Sequence, residues 1–450
     1  MQDLTSGSLS RHLLKTTSFM LVTMVFQTLY FLVDLYWVGR LGTQSVAAVG
    51  IAGNVTFVVL ALTQMLGIGT TAVVSHAVGR KDHEQALLLF NQSQVLAMVT
   101  GAVFLVVGLA LRLPYTSRQS ADPQTAALAA EYLLWFIPAM GLQFALVAMG
   151  AALRAVGNFK PGMVVSTATV LLNMILAPIL IFGVGPVHRF GVAGAAIASL
   201  LAILVGIVWL GAYFFKKDAF LRFVVADWRP RMDLWRKMLG IGLPAGFEFG
   251  LMAVYVFFVY SITRKFGAEA QAGFGIGQRI IQAGFMPVVA LGFAVAPVAG
   301  QNFGARLPHR VKATFRDAAL MAIAVMTLFA VICHVAPARL IGVFARDPRV
   351  VAVGTEYLRI ISWNYVASGL VFVTSSMFQA MGNTMPSLVA SFVRILLIVI
   401  PAFILSAMPG FQLIWLWYLS SAAVYVQLAI CLLQLRWQYR SRLDPLAEPA

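Results

Sequence analysis

Ala155-Val156-Gly157-Asn158-Phe159-Lys160-Pro161 and Ala380-Met381-Gly382-Asn383-Thr384-Met385-Pro386 share one pattern, A-x-G-N-x-x-P, at an offset of 225 residues. At the same offset Asp122-Pro123 answers Asp347-Pro348, and Glu131-Tyr132-Leu133 answers Glu356-Tyr357-Leu358. The register also pairs Gly42/Gly267, Ala47/Ala272, Gly50/Gly275, Ile51/Ile276, Gly67/Gly292 and Gly79/Gly304. Among 37 glycines some would coincide by chance, but the two longer strings in one register would not readily do so. The chain therefore reads as a tandem duplication, with an N-lobe over 1–225 and a C-lobe over 226–450. In a very apolar chain, duplication predicts two helical bundles facing a shared cavity.

Hydrophobic residues make up 60% of the chain and charged residues 11%, with mean hydropathy +0.87. That is too little charge to cover the surface of a water-soluble chain of 450 residues. Long apolar runs, each able to cross ~30 Å of hydrocarbon as a helix, recur along the whole length. They predict an all-α integral membrane protein with twelve spans. The spans run over 13–38, 45–77, 86–112, 125–152, 161–184, 191–215, 237–263, 270–303, 312–336, 350–381, 386–408 and 411–435. Gly/Pro/Asn clusters mark the loops, among them Gly183-Val184-Gly185-Pro186. Six spans per half is an even number, so both six-helix lobes enter the membrane in the same sense. The axis relating them is then a pseudo-two-fold along the membrane normal. The first span carries Gln27 and Asp34 and lacks a small-residue cleavage pattern, so it is read as a span and not a signal peptide.

A net charge of +16 would suit a nucleic-acid binder, but the placement of the charges argues otherwise. Lys and Arg concentrate at the termini and in the even-numbered loops, above all in the connector after the sixth span. That connector holds Lys216, Lys217, Arg222, Arg229, Arg231, Arg236 and Lys237. The positive-inside rule places both termini and the connector in the cytoplasm, with the connector against anionic lipid headgroups.

Enzyme signatures are missing. The sequence contains no G-x-x-x-x-G-K-[ST] phosphate loop, no H-E-x-x-H, no G-x-S-x-G, and no Cys/His cluster. Cys333 and Cys431 read as small packing residues, and neither a metal nor a cofactor is implied. With no ATP-hydrolysing motif, transport would have to run on an ion gradient.

The sharpest clues are Asp34 and Glu248, because a carboxylate in hydrocarbon must face a cavity or a partner. Asp34 lies about 8 Å along the first span from Gly39, at ~1.5 Å per residue. Tyr30 and Gln27 precede it by one and two turns on the same face, making a polar stripe suited to a proton or a cation. Glu248 follows Pro244 by one turn and is flanked by Gly242, Gly246 and Gly250, where the helix is expected to kink or open. It reads either as a second cation or proton site or as one half of an ion pair. Arg279 and Arg394, both inside spans, are the candidate partners. Asn173 and Ser199 are lone polar residues that suit interhelical hydrogen bonds.

Several strings resemble the multidrug and toxic compound extrusion (MATE) family over essentially the whole chain. They are Leu32-Val33-Asp34 with Val38-Gly39-Arg40-Leu41-Gly42, Leu153-Arg154-Ala155-Val156-Gly157-Asn158, Gly191-Val192-Ala193-Gly194-Ala195-Ala196-Ile197-Ala198, Gly242-Leu243-Pro244 and Gly300-Gln301-Asn302-Phe303-Gly304-Ala305. The resemblance implies a monomeric two-lobe exporter in the bacterial inner membrane. It would expel lipophilic, often cationic drugs in exchange for H⁺ or Na⁺. It implies that Asp34 is the coupling carboxylate, that Tyr30 and Asn173 support it, and that Ser199 stands where a threonine is often found. The chain departs from the family pattern in three places. Ala177 stands where many relatives have an Asp four residues after the asparagine. Residues 16–30 contain no proline, and the tenth span offers no counterpart to the C-lobe Asp of sodium-coupled relatives. One carboxylate per lobe favours protons. A related flippase of lipid-linked saccharides, or an exporter of an endogenous metabolite, is the alternative.

Overall fold

The computed structural model describes residues 2–120, 122–183, 185–186, 188–216 and 219–446. Val184 and Lys217, expected in a loop and in the basic connector, lie outside them. Among the described residues every regular element is a helix. The α-helices are α1 (Leu9–Gly39), α2 (Thr43–Gly79), α3 (His83–Gln119), α4 (Pro123–Ala155), α5 (Phe159–Phe182), α6 (Val192–Phe214), α7 (Met232–Thr263), α8 (Ala268–Gly304), α9 (Pro308–Val335), α10 (Pro337–Gly342), α11 (Pro348–Ile361), α12 (Tyr365–Ala380), α13 (Met385–Ser406) and α14 (Leu413–Gln438). Among the described residues twelve segments are long and apolar enough to cross a membrane, and they match the twelve expected spans.

The repeated strings mark helix ends, which explains their spacing. Asp122 and Asp347 cap the N-termini of α4 and α11. Asp122 side-chain oxygens accept from the Gln124 and Thr125 amides, and Asp347 accepts from the Arg349 amide. Pro123 and Pro348 then occupy the first turn, where a missing N–H costs nothing. The Thr125 hydroxyl and amide also hold the Asp122 carboxyl below the ordinary carboxylate range. At the other end of the unit, Gly157 and Gly382 adopt φ of 75° and 70°, the left-handed turn that glycine accepts without strain. The turn lets the Asn158 and Asn383 amides reach back to the Leu153 and Phe378 carbonyls at 2.9 and 3.0 Å. Among the described residues even the two non-glycine positions with positive φ, Lys81 (60°) and Arg306 (57°), are a pair at the repeat offset.

The tenth span departs from expectation in continuity. It is two helices, α11 and α12, joined by a 3₁₀ turn over Ser362–Asn364. Polar side chains hold the turn: the Ser362 hydroxyl donates to the Arg359 carbonyl, and Asn364 donates to Ser421 on α14. The position corresponding to Trp363 in the first half is Pro138, inside α4.

The residues sort into two compact units. One comprises Met1–Asp3 and Ser18–Gly246; the other comprises Leu4–Thr17 and Phe247–Ala450. This division differs from a cut at 225/226, because the leading part of each half's first helix packs away from its own half. In the first unit, α7 backbone lies directly on α2. A Cβ added at Gly242 would run into the Met65 carbonyl, and one at Gly246 would come within 2.7 Å of the Ala61 carbonyl. In the second unit, Leu4 is fully buried. The Gln301 side chain accepts from the Leu4 amide, and Asn302 donates to the Leu4 carbonyl.

Gly242 and Gly246 are thus contact surfaces on α7, which runs unbroken as a helix through Pro244. Gly242→Ala is expected to destabilise by about 1–3 kcal/mol through overpacking. Gly250→Ala, where a Cβ meets nothing within 4 Å, is expected to be neutral or stabilising. Thermal unfolding of both variants in detergent checks this, and equal effects would refute it.

Candidate functional site

The polar residues expected to matter fall into two separate clusters, one in each unit. In the first unit α1, α5 and α6 bring Tyr30, Asn173 and Ser199 together. The Ser199 hydroxyl donates to the Ala195 carbonyl at 3.2 Å, a turn back on its own helix. With that proton committed, Ser199 Oγ accepts from Asn173 Nδ2 at 2.9 Å and from the Tyr30 hydroxyl at 3.0 Å. Asn173 and Tyr30 therefore both turn a donor onto Ser199. Asn173 Oδ1 and Asp34 Oδ1 are both buried, and among the described residues neither has a hydrogen-bond partner. Asp34 follows Tyr30 by one turn of α1, and Tyr132 of α4 is buried in one apolar cluster with Val38, a turn further along α1. Gln27 lies on α1 but is exposed, and no hydrogen bond joins it to the cluster. Ala177, noted from the sequence as a departure from the family pattern, is buried in an apolar core with Ile181, Tyr132 and Phe136.

In the second unit, α7, α12, α13 and α14 surround Glu248. Its Oε2 accepts from Ser387 at 2.6 Å and Ser375 at 3.2 Å, and its Oε1 accepts from Ser391 at 3.0 Å. Gln427 Nε2 donates to Ser391 at 3.1 Å, and Arg394 Nη1 reaches Gln427 Oε1 at 3.4 Å. The chain of donors runs in one direction, from guanidinium to carboxylate. Arg394 also lies over the Tyr255 ring, 5.2 Å from its centroid. No ion pair joins Glu248 to Arg394 or Arg279 among the described residues. Arg394 is linked to Glu248 through two neutral side chains, while Arg279 is exposed on α8 and takes no part in the network.

Sequence reasoning missed Ser375, Ser387, Ser391, Gln427 and Tyr132. Only Tyr132 left a signal, as the repeat partner of Tyr357. The repeat also pairs Tyr30 with Tyr255, yet it places Val259 opposite Asp34 and Thr23 opposite Glu248. The two acids therefore occupy different registers, eleven residues or about 16 Å apart along equivalent helices. Glu131 and Glu356 also lie within membrane-length segments, both exposed and about two turns from the capping Asp.

Ser375→Ala combined with Ser387→Ala leaves Glu248 Oε2 without a donor. The pair is expected to cost roughly 1–3 kcal/mol, the penalty of an unsatisfied buried polar group. Adding Glu248→Leu is expected to recover much of the loss, since removing both sides of a polar contact is cheaper than removing one. Thermal unfolding of the double and triple variants decides it; a triple variant less stable than the double would contradict the geometry.

Comparison with known proteins places this arrangement in context. The chain is 29% identical to the probable multidrug resistance protein YpnP of Bacillus subtilis, with 87% of each chain covered. It is 25% identical to the FAD transporter of Shewanella oneidensis, with 82% of each covered. A structure described as the outward-facing conformation of a multidrug resistance MATE family transporter of the MOP superfamily superposes with a TM-score of 0.90 at 25% identity. That superposition covers 99% of this chain and 98% of that one. The MatE family model matches twice in tandem, over residues 20–179 and 244–404, repeating the internal duplication, and the chain belongs to the MatE family of membrane transporters.

Proposed function

We propose that the chain exports lipophilic, often cationic compounds in exchange for protons or sodium ions, with Asp34 as the coupling carboxylate. The observation that carries this reading is the buried Oδ1 of Asp34, which lies inside a membrane span and has no donor among the described residues. A carboxylate so placed gains most from a proton or a small cation, because hydrocarbon supplies neither water nor counter-ion. Ionised Asp34 attracts a cationic substrate; a proton taken from outside removes that attraction, and the substrate leaves. Binding energy that differs between the two protonation states is what couples the fluxes. Glu248, already supplied with three hydroxyl donors, is the second candidate. The single carboxylate in each cluster favours the proton. On this reading the connector and both termini face the cytoplasm of a bacterial inner membrane.

A second reading is export of an endogenous metabolite. The 25% identity to a protein named an FAD transporter favours it. The exposed Arg279 would then offer a positive charge to an anionic cargo.

Proteoliposomes loaded with a fluorescent cationic dye, under a set pH gradient or a set sodium gradient, test both readings. Dye efflux driven by pH alone is expected, and Asp34→Asn is expected to reduce it to the background of empty liposomes. Wild-type efflux by Asp34→Asn would sink the assignment. FAD efflux without dye efflux would favour the metabolite.

A further inference from the structure

We propose that a groove beside the basic connector is a binding site for one anionic phospholipid. The groove lies wholly within the first unit and has a volume of about 470 Å³. Its walls include Met98 from α3, Met149 from α4, Val208 and Gly211 from α6, and Phe223 and Trp228 from the connector. Gln94 is the one polar side chain in the lining, and it is buried with its amide turned onto the Ser93 hydroxyl at 3.2 Å. Apart from Gln94 the walls are apolar or, at Trp228, already hydrogen-bonded, so they suit a hydrocarbon chain better than a polar solute.

The connector side of the groove is fixed by hydrogen bonds. Asn91, fully buried on α3, donates to the Arg222 carbonyl at 3.1 Å and accepts from the Val224 amide at 3.0 Å and the Trp228 indole at 2.9 Å. Gln92, also fully buried, donates to the Asp227 and Arg229 carbonyls at 2.6 and 2.7 Å and accepts from the Arg231 amide at 2.9 Å. Phe223 stacks on Phe90 at 5.4 Å. The aromatic wall is therefore built into the unit.

Three cations neighbour that wall in sequence: Lys216 follows Phe215, Arg222 precedes Phe223 and Arg229 follows Trp228. All three are exposed, and among the described residues none forms an ion pair. The stretch from 216 to 229 holds four cations, Lys216, Lys217, Arg222 and Arg229, against two acids, Asp218 and Asp227. An apolar groove whose connector wall is flanked along the chain by three exposed cations suits an amphiphile with an anionic head. It disfavours the cationic compounds proposed as cargo, so the site stands apart from the transport reading. Each of the three exposed cations is expected to contribute about five-fold to affinity for an anionic head, and each buried methylene about four-fold.

Gly211 allows the groove to be filled without disturbing the helix, since an added Cβ meets nothing within 4 Å. The experiment is native mass spectrometry of the full chain. The protein is equilibrated with phosphatidylglycerol and phosphatidylcholine of identical chains, and unfolding temperature is measured in parallel. Wild type is expected to retain one phosphatidylglycerol in preference to phosphatidylcholine. The Lys216→Gln, Arg222→Gln, Arg229→Gln triple variant is expected to lose that preference by at least about ten-fold. Gly211→Phe is expected to lose the retained lipid while keeping its unfolding temperature without lipid. Glycerophosphate, a headgroup without chains, is expected to have no stabilising effect. Equal retention of both lipids by wild type, undiminished retention by Gly211→Phe, or equal stabilisation by glycerophosphate would each overturn the proposal.

Discussion

Hydrocarbon offers no hydrogen-bond partner to a peptide group, so each segment that crosses it must satisfy its own backbone or leave an expensive vacancy. The all-helical architecture follows from that constraint, as does the care taken at helix ends. Caps built on Asp122 and Asp347 occupy N-termini, and left-handed turns at Gly157 and Gly382 close C-termini. The strings that repeat most clearly are the ones that perform these closures. A helix end is a local problem with few solutions, and both halves use the same one.

The same constraint governs side chains, but with more freedom. A polar group inside a bundle needs some partner, not a particular one. The two units share a tyrosine in each of two registers, Tyr30/Tyr255 and Tyr132/Tyr357, and differ in almost everything around them. Arg394, Ser391 and Gln427 correspond to Thr169, Ser166 and Ala202 in the first half, so the donor chain that feeds Glu248 was assembled in one unit alone. In the first unit, Ser199 gathers the donors and leaves Asp34 Oδ1 unmatched. One carboxylate is thus furnished with donors and the other is not, which is a chemical asymmetry laid on a duplicated scaffold.

Close packing works by a third route. Without water to drive helices together, association relies on contact area, and small residues bring backbones near enough to gain it. Gly242 and Gly246 do this against α2, and Gly69 against the Met238 carbonyl. Pro244 stands between the first two on α7, where a reading of isolated residues points to a kink. The neighbouring helix shows that the glycines serve an approach.

Twelve spans and the duplication were legible in the sequence; the Asp122-Pro123 and Asp347-Pro348 strings stood out there as repeats, but their capping role did not, and Asp34 stood out as an acid inside a span. Each rests on a local signal: an apolar run, a short string, or one acid in the wrong solvent. Tertiary structure alone decided the serine cradle of Glu248. Ser375, Ser387 and Ser391 come from two helices, and a serine in a membrane helix can equally bond its own backbone, as Ser376 does to the Phe372 carbonyl. It also decided the 3₁₀ turn at Ser362–Asn364 and the packing of Leu4–Thr17 and Met232–Gly246 in units other than those of their own halves. These depend on which helix faces meet, and a hydrophobic run that is apolar on all sides does not encode its facing partner.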